Sequence, residues 1–379
     1  MREMLVDLEA IRHNIRTLAA RVAPAALMPV VKADAYGHGL IPVARAASEA
    51  GVAGFGVVDL DEAKALRAAA IVDPILAWLH GPDADFTWAI ANHVDLGVGS
   101  LEVLERVGIA VRTVNAFAER SGAESRPAIV HLKADTGLGR GGATEEEWRR
   151  LVLRAAELQE ADEIRVRGVW SHLANASPEA DRAQFEAFDR ALAIARLAGI
   201  APEVRHIESS ASMLTHPEQA RELVRVGIAA YGVSPFGDRR PAEFGLAPAM
   251  ELAGTLVQVK RVPAGHGVSY GHRYVTPSET TLALVPLGYA DGLPRSASGR
   301  PPVVIRGKRY RIAGTIAMDQ VVIDVGDDEV RVGDRAVFWG DPATGAPSVQ
   351  EWADAAGTIA YELLTKVGPR VHRRYVNGG

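Results

Sequence analysis

A chain of 379 residues with 48% apolar and 23% charged side chains has the balance of a soluble globular protein and the length of two domains. Its net charge of −5 argues against nucleic acid as the main partner, and the absence of cysteine excludes disulfides, thiolate metal sites and a cysteine nucleophile. The opening MREMLVD lacks the apolar core of a signal peptide and no apolar run of about 18 residues occurs, so a cytoplasmic protein without a membrane-spanning helix is expected.

An amphipathic helix, LEAIRHNIRTLAARV, comes first in chain order. Eight short apolar runs follow, starting near Met28 (MPVVKAD), Gly54 (GFGVVD), Pro74 (PILAWL), Val94 (VDLGV), Ala128 (AIVHLKA), Val166 (VRGVWSHL), Glu203 (EVRHIESS) and Leu223 (LVRVGIA). They are almost continuously apolar, as strands buried on both faces are. Helical segments separate most of them: IPVARAASEAG, DEAKALRAAA, EEEWRRLVLRAAELQEAD, and a helix opened by Pro178. Eight such units predict a (β/α)8 TIM barrel of the α/β class. An open doubly wound sheet would more commonly have about five to seven strands and a glycine-rich fingerprint, which GHG at 37–39 is not.

After about Pro241 the pattern changes to period two: TLVQVKRV, TTLALVPL, RPPVVIRGKRYRIAGT, QVVIDV and DRAVFWG, separated by Gly, Pro and Asp turns. One helical stretch, SVQEWADAAGTIAYELLTKVG, follows. The expected division is a barrel over residues 1–236 and a mainly β domain over 237–379, joined through YGVSPFGDRRPAEFG.

Function in a barrel sits where strands end, so polar residues closing apolar runs are the candidates. These are Lys32, Lys133, His172, Ser209, Ser210 and Arg225. Only six of the 42 basic residues are lysines, which makes strand-end lysines worth weighing. Each candidate alone has a structural reading: a solvated or ion-paired lysine, a core histidine, a helix N-cap. Together they suit one chemistry. A strand-end amine can form a Schiff base with an aldehyde cofactor. Hydroxyls at a helix start and the N–H groups of Gly227 and Ile228 could hold its phosphate. Spacing leaves both readings open.

The segment VVKADAYGHG at 30–39 resembles the cofactor-lysine signature of alanine racemases, a pyridoxal-phosphate-dependent family. KADTGLGR at 133–140, SHLANA at 171–176, RVGIAAYG at 225–232, GVSYG at 267–271, LGYADG at 287–292 and MDQ at 318–320 follow in the family's order. The resemblance implies that Lys32 carries pyridoxal 5'-phosphate and is one of two catalytic bases, with Tyr270 the other. His172 and Arg225 would be linked to that tyrosine, Arg225 against the pyridine nitrogen. Tyr36, Ser210, Gly227 and Ile228 would serve the phosphate. Arg140 and the Met318 N–H would meet the substrate carboxylate. Lys133 matches a lysine carbamylated in many members, while Tyr289 and Asp319 match entrance residues. The family works as a head-to-tail homodimer in which Tyr270, Tyr289 and Met318 reach the other subunit's barrel.

The implied activity is interconversion of L- and D-alanine, supplying D-alanine for peptidoglycan, with no metal, nucleic acid or membrane partner. Racemisation of serine or other small amino acids on the same scaffold is the variant reading. A pyridoxal-phosphate decarboxylase is less consistent, because such enzymes use an acid at the ring nitrogen and a catalytic cysteine. A non-catalytic cofactor carrier would not need GVSYG. The chain departs from the family at Thr315 and Ala317, where Arg and Cys are frequent, at Ser209, where Asn is common, and near Pro369, where some members place a tyrosine close to the phosphate.

Overall fold

In the computed structural model, which describes residues 1–378, strand β1 (Arg2–Asp7) leads into a helix over Leu8–Val22. Eight strands follow: β2 (Ala26–Pro29), β3 (Phe55–Val57), β4 (Ile75–Ala77), β5 (Val94–Val98), β6 (Ala128–Lys133), β7 (Ile164–Trp170), β8 (Val204–His206) and β9 (Leu223–Val226). Each overlaps one of the eight apolar runs, β2 and β7 beginning two residues before theirs. β3 to β8 form a parallel sheet in sequence order, and β9 pairs with β2 in parallel. A parallel bridge from Val30 to Gly56 carries β2 on to β3. At the remaining seam Arg205 pairs with Glu222, and Arg225 donates to the His206 carbonyl. The strands thus curl into the (β/α)8 arrangement expected.

The intervening helices start where their capping residues require. Asp59 accepts from the Asp61 and Glu62 N–H groups, and Ser100 accepts from Val103. Thr144 and Glu147 form a reciprocal capping box, and Ser177 caps a helix with Pro178 in its first turn.

A second sheet system contains β10 (Met250–Thr255), β11 (Gln258–Val262), β12 (Gly267–Val268), β13 (Tyr274–Val275), β14 (Thr280–Val285), β15 (Pro302–Ile305), β16 (Lys308–Arg311), β17 (Val321–Gly326), β18 (Arg335–Trp339) and β19 (His372–Val376). Its largest sheet runs β16-β15-β18-β10-β1-β19. β1, absent from the predicted elements, pairs antiparallel with β10 and parallel with β19. Met4 and Val6 are its buried side chains, two residues apart as a strand face demands. β11, β14 and β17 form a three-stranded sheet, and β12 pairs with β13. The late helical stretch divides at Gly357, which has φ +73°, into helices over Val349–Ala356 and Ala360–Thr365.

By compactness the barrel unit comprises Ile15–Lys32 and Ala47–Ala230, while Met1–Asn14 and Ala33–Ala46 group with the residues from Tyr231 onward. A single break at 236/237 therefore describes only part of this division, because two N-terminal segments also change side. Among the described residues no helix is long and apolar enough to cross a membrane.

Candidate active site

Lys32 follows β2, whose ladder with β9 brings Met28 opposite Arg225. The backbone immediately after it is unusual. Ala33, Asp34, Ala35 and Tyr36 all have φ near +54°, one left-handed turn built without glycine. L-residues lose roughly 1–2 kcal/mol each in that conformation, so the surroundings must hold it. Asp34 accepts from the Leu40 N–H at 2.7 Å and pairs with Arg373 at 3.2 Å. Gly37 and Gly39 then take positive φ with no room for a side chain. A Cβ on Gly37 would lie 2.2 Å from the Leu364 carbonyl oxygen, and one on Gly39 2.0 Å from the Tyr375 hydroxyl.

At the barrel mouth the site is built of cations. Burial, then the Arg140 guanidinium, lower the Lys32 pKa; Glu62 opposes and Arg225 adds to the lowering. Lys133, at the end of β6, is pushed down to about 8 by burial, Arg225 and Arg140, against Asp135. Its ammonium lies 4.7 Å from the Trp170 ring centroid. His172 is pushed down to about 3 by burial and then by Arg225, Arg140, Lys133 and Lys32, so it is a neutral ring at working pH. Arg140 is exposed.

Arg225 is buried and its terminal nitrogens are occupied by the protein. Nη1 donates to His206 Nδ1 at 2.6 Å and to the His206 carbonyl at 3.1 Å. Nη2 donates to the Ser171 carbonyl at 2.7 Å, with His172 Nδ1 at 3.4 Å. Burial lowers Arg225 to about 10, with Glu208 pulling upward, which still leaves it a cation. Ser210 opens the helix Ser210–Thr215, and its Oγ accepts from the Gly227 and Ala229 N–H groups at 3.0 and 3.3 Å. The hydroxyl hydrogen is then left to donate to an anion. Ile228 begins the 3-10 turn after β9.

The candidates in the sheet unit form their own group. Tyr36 is buried with its ring 4.8 Å from Tyr231 and 6.1 Å from Tyr361, and burial raises its pKa. Tyr270 stands 72% exposed on a loop where Ser269 has φ +59°. Thr315 is buried beneath that loop; its hydroxyl donates to the Tyr270 carbonyl, and its own carbonyl accepts from Ser269 Oγ at 2.7 Å. Tyr289 and Met318 are 41% and 51% exposed. Their loops are tied together, since the Tyr289 and Ala290 N–H groups donate to the Ala317 and Met318 carbonyls. Arg370 pairs with Asp319 at 2.6 Å and with buried Asp291 at 2.9 Å.

The structure therefore brings Lys32, Lys133, Arg140, His172 and Arg225 into one electrostatically coupled set. Two contributors escaped the sequence reading. Trp170 carries Lys133 and Arg225 against its ring, the latter at 4.8 Å, and stacks on His206. Tyr361 supplies a phenol beside Tyr36, eight residues before Pro369. Thr315, named already as a departure from the family, braces the Tyr270 loop through its hydroxyl and its carbonyl. The signal for Trp170 was present: it closes β7, two residues before His172.

An aldehyde-bearing phosphorylated pyridine fits these residues. The cations exceed the acids that act on them, which suits a polyanion. The lowered Lys32 pKa favours the free amine that bonds to an aldehyde. Ser210 keeps a donor for phosphate.

Two family models match the chain: alanine racemase, N-terminal domain, over residues 6–235, and alanine racemase, C-terminal domain, over 249–375. An alanine racemase of Frankia casuarinae is 50% identical over 376 residues, covering 98% of this chain and 95% of that protein. One of Thermobifida fusca is 50% identical over 377 residues, covering 98% and 97%. The crystal structure of alanine racemase from the D-cycloserine producer Streptomyces lavendulae superposes with a TM-score of 0.95 at 49% identity, covering 99% of this chain and 97% of that one.

Proposed function

The chain belongs to the alanine racemase family, and from that premise we infer that it interconverts L- and D-alanine with pyridoxal 5'-phosphate through two bases, Lys32 and Tyr270. The observation that carries the reading is the half-buried Lys32 amine, whose pKa is lowered by burial first and then by Arg140 and Arg225. When bound, the cofactor supplies a sink for the electron pair left by removal of the α-proton. Lys32 holds the cofactor and moves the α-proton on one face of the substrate. Tyr270 moves it on the other, which inversion through a planar carbon requires.

Arg225 serves the ring nitrogen. Its Nη groups are used by His206 and Ser171, which leaves Nε–H for that contact. With the cofactor bound, a permanent cation there, which accepts no proton, would favour an unprotonated ring nitrogen and a weaker electron sink. Tyr36, Ser210 and Ile228 would hold the phosphate, while the Gly227 N–H, expected there too, is spent on Ser210 Oγ and orients that hydroxyl. Arg140 and the Met318 N–H orient the substrate carboxylate, and Tyr289 and Asp319 shape the entrance. Lys133, with its pKa near 8, has a free-amine fraction that can add carbon dioxide, releasing a proton and leaving a carbamate to hold Arg140.

The exposure of Tyr270, Tyr289 and Met318 in the single chain supports a homodimer with shared sites. The biological setting consistent with this activity is a cytoplasmic supply of D-alanine for peptidoglycan. The test is incubation of the holoenzyme with L-alanine in D₂O. D-alanine carrying deuterium at Cα is the expected product. Absence of both product and exchange, followed by turnover of serine, would move the substrate assignment to serine.

A further inference from the structure

Small barrels normally fill their interior with branched apolar side chains. Here a polar chain crosses it. His206 on β8 accepts from Arg225 on β9 at 2.6 Å. His206 Nε2 lies 2.9 Å from His131 Nδ1 on β6. His131 Nε2 lies 3.2 Å from Asp95 Oδ2 on β5, and the same oxygen accepts from Arg167 Nη1 at 2.7 Å. All but Arg167 are buried.

The direction of every hydrogen along this chain is forced. A guanidinium only donates, so His206 Nδ1 must be bare. Its proton is then on Nε2 and points at His131 Nδ1, which must also be bare. The His131 proton is on Nε2 and points at Asp95. An imidazolium at either ring would set two N–H groups, or an N–H and a guanidinium, against each other. Burial, Arg225 and His131 together push His206 well below the usual histidine range, in keeping with a neutral ring.

The fold makes specific room for this arrangement. The β6–β7 ladder shifts register between Val130 and His131. Opposite His131 stands Gly168, where a Cβ would lie 2.1 Å from His131 Nδ1. Buried polar groups are costly unless satisfied, and apolar residues would fill the space without a bulge or a glycine. What the chain achieves is the orientation of Arg225: its Nη1 is fixed by a ring whose tautomer is set from Asp95, and its Nε–H is left for a ligand.

We propose that Asp95, His131 and His206 are positioning residues for the racemisation, a unidirectional hydrogen-bond relay that aims Arg225 at the cofactor ring. The proposal rests on the reading of Arg225 given above. It is tested first without any variant. Histidine-selective ¹⁵N NMR of the wild-type apoprotein should show the ring proton of both His131 and His206 on Nε2, with His206 neutral from about pH 6 to about pH 8. An imidazolium or an Nδ1 proton on either ring overturns the relay.

The functional arm compares Asp95→Ala, Asp95→Asn and Arg225→Ala as folded proteins. Asp95→Ala should lower kcat and weaken cofactor binding about tenfold each, the equivalent of ~1.4 kcal/mol, with KM for alanine within about twofold. Asp95→Asn, which keeps an oxygen acceptor for His131, should recover most of both. Equal kcat and cofactor affinity in wild type and Asp95→Ala overturn the relay. If Arg225→Ala impairs both while Asp95→Ala changes neither, the relay alone falls. If Arg225→Ala changes neither, the assignment of Arg225 to the cofactor falls, and the relay with it.

Discussion

Acid should destabilise the apoprotein through its buried histidines, and the effect can be counted in protons. His38 and His80 are pushed down to about 4, His172 to about 3, and His206 well below its usual range, in each case chiefly by burial. In the unfolded chain each returns to a pKa of about 6.5. At pH 6 the four unfolded rings together hold about three protons, while the folded ones hold almost none. Glu208 works the other way. Burial lifts it to about 7 when folded, against 4.5 when exposed, so it surrenders about one proton on unfolding at pH 6. Carboxylates held low by arginines are ionised in both states there.

The net is an uptake of about two protons at pH 6, which makes stability rise with pH by about 3 kcal/mol per unit. The histidine contribution is whole above pH 6.5 and is lost as the pH falls toward 4. At pH 8 Lys133, near 8 when folded, contributes about half a proton, and Lys32, lowered by burial and Arg140, acts in the same direction. Calorimetric unfolding of the apoprotein in buffers of different ionisation enthalpy measures both values. Uptake below about half a proton at pH 6 would refute the assignment of neutral buried rings.

Lys32→Ala should abolish covalent attachment of the cofactor, measured by borohydride reduction and peptide mass; a label retained on Lys133 would move the cofactor there. Tyr270→Phe should leave cofactor content unchanged and reduce racemisation in both directions by about 10²–10⁴-fold, the range of one positioned acid–base group. An unchanged rate would remove Tyr270 as a base.

The barrel was legible because its strands are short, nearly all-apolar and punctuated by Pro, Gly and Asp, so eight runs stand out without knowledge of any contact. β1 was not, since REMLVD offers only two buried side chains and its partners, β10 and β19, lie more than 240 residues away. β19 is camouflaged by charge, its sequence HRRYV being an edge strand with Arg373 and Arg374 committed to Asp34 and Glu3. Lys32 and Tyr270 stand out as candidates through their motifs, the network around Lys32 only in part. His131 and Asp95 sit inside AIVHLKA and VDLGV, which read as core. A carboxylate amid five buried positions is itself a signal, but its partners are 36 and 72 residues away, and only closure of the barrel brings them to it. Tyr361 was hidden in a helical pattern, where an aromatic reads as packing.

The central claim is that Lys32 and Tyr270 act on opposite faces of one substrate and come from different copies of the chain. Co-expression of Lys32→Ala and Tyr270→Phe chains under two affinity tags, followed by isolation of the doubly tagged dimer, tests it most directly. Shared sites give that dimer one complete pair of bases out of two, so it should show about half the wild-type rate while each parent dimer is nearly inactive. A doubly tagged dimer as inactive as its parents would mean that the two bases do not meet across the interface, and would contradict the account.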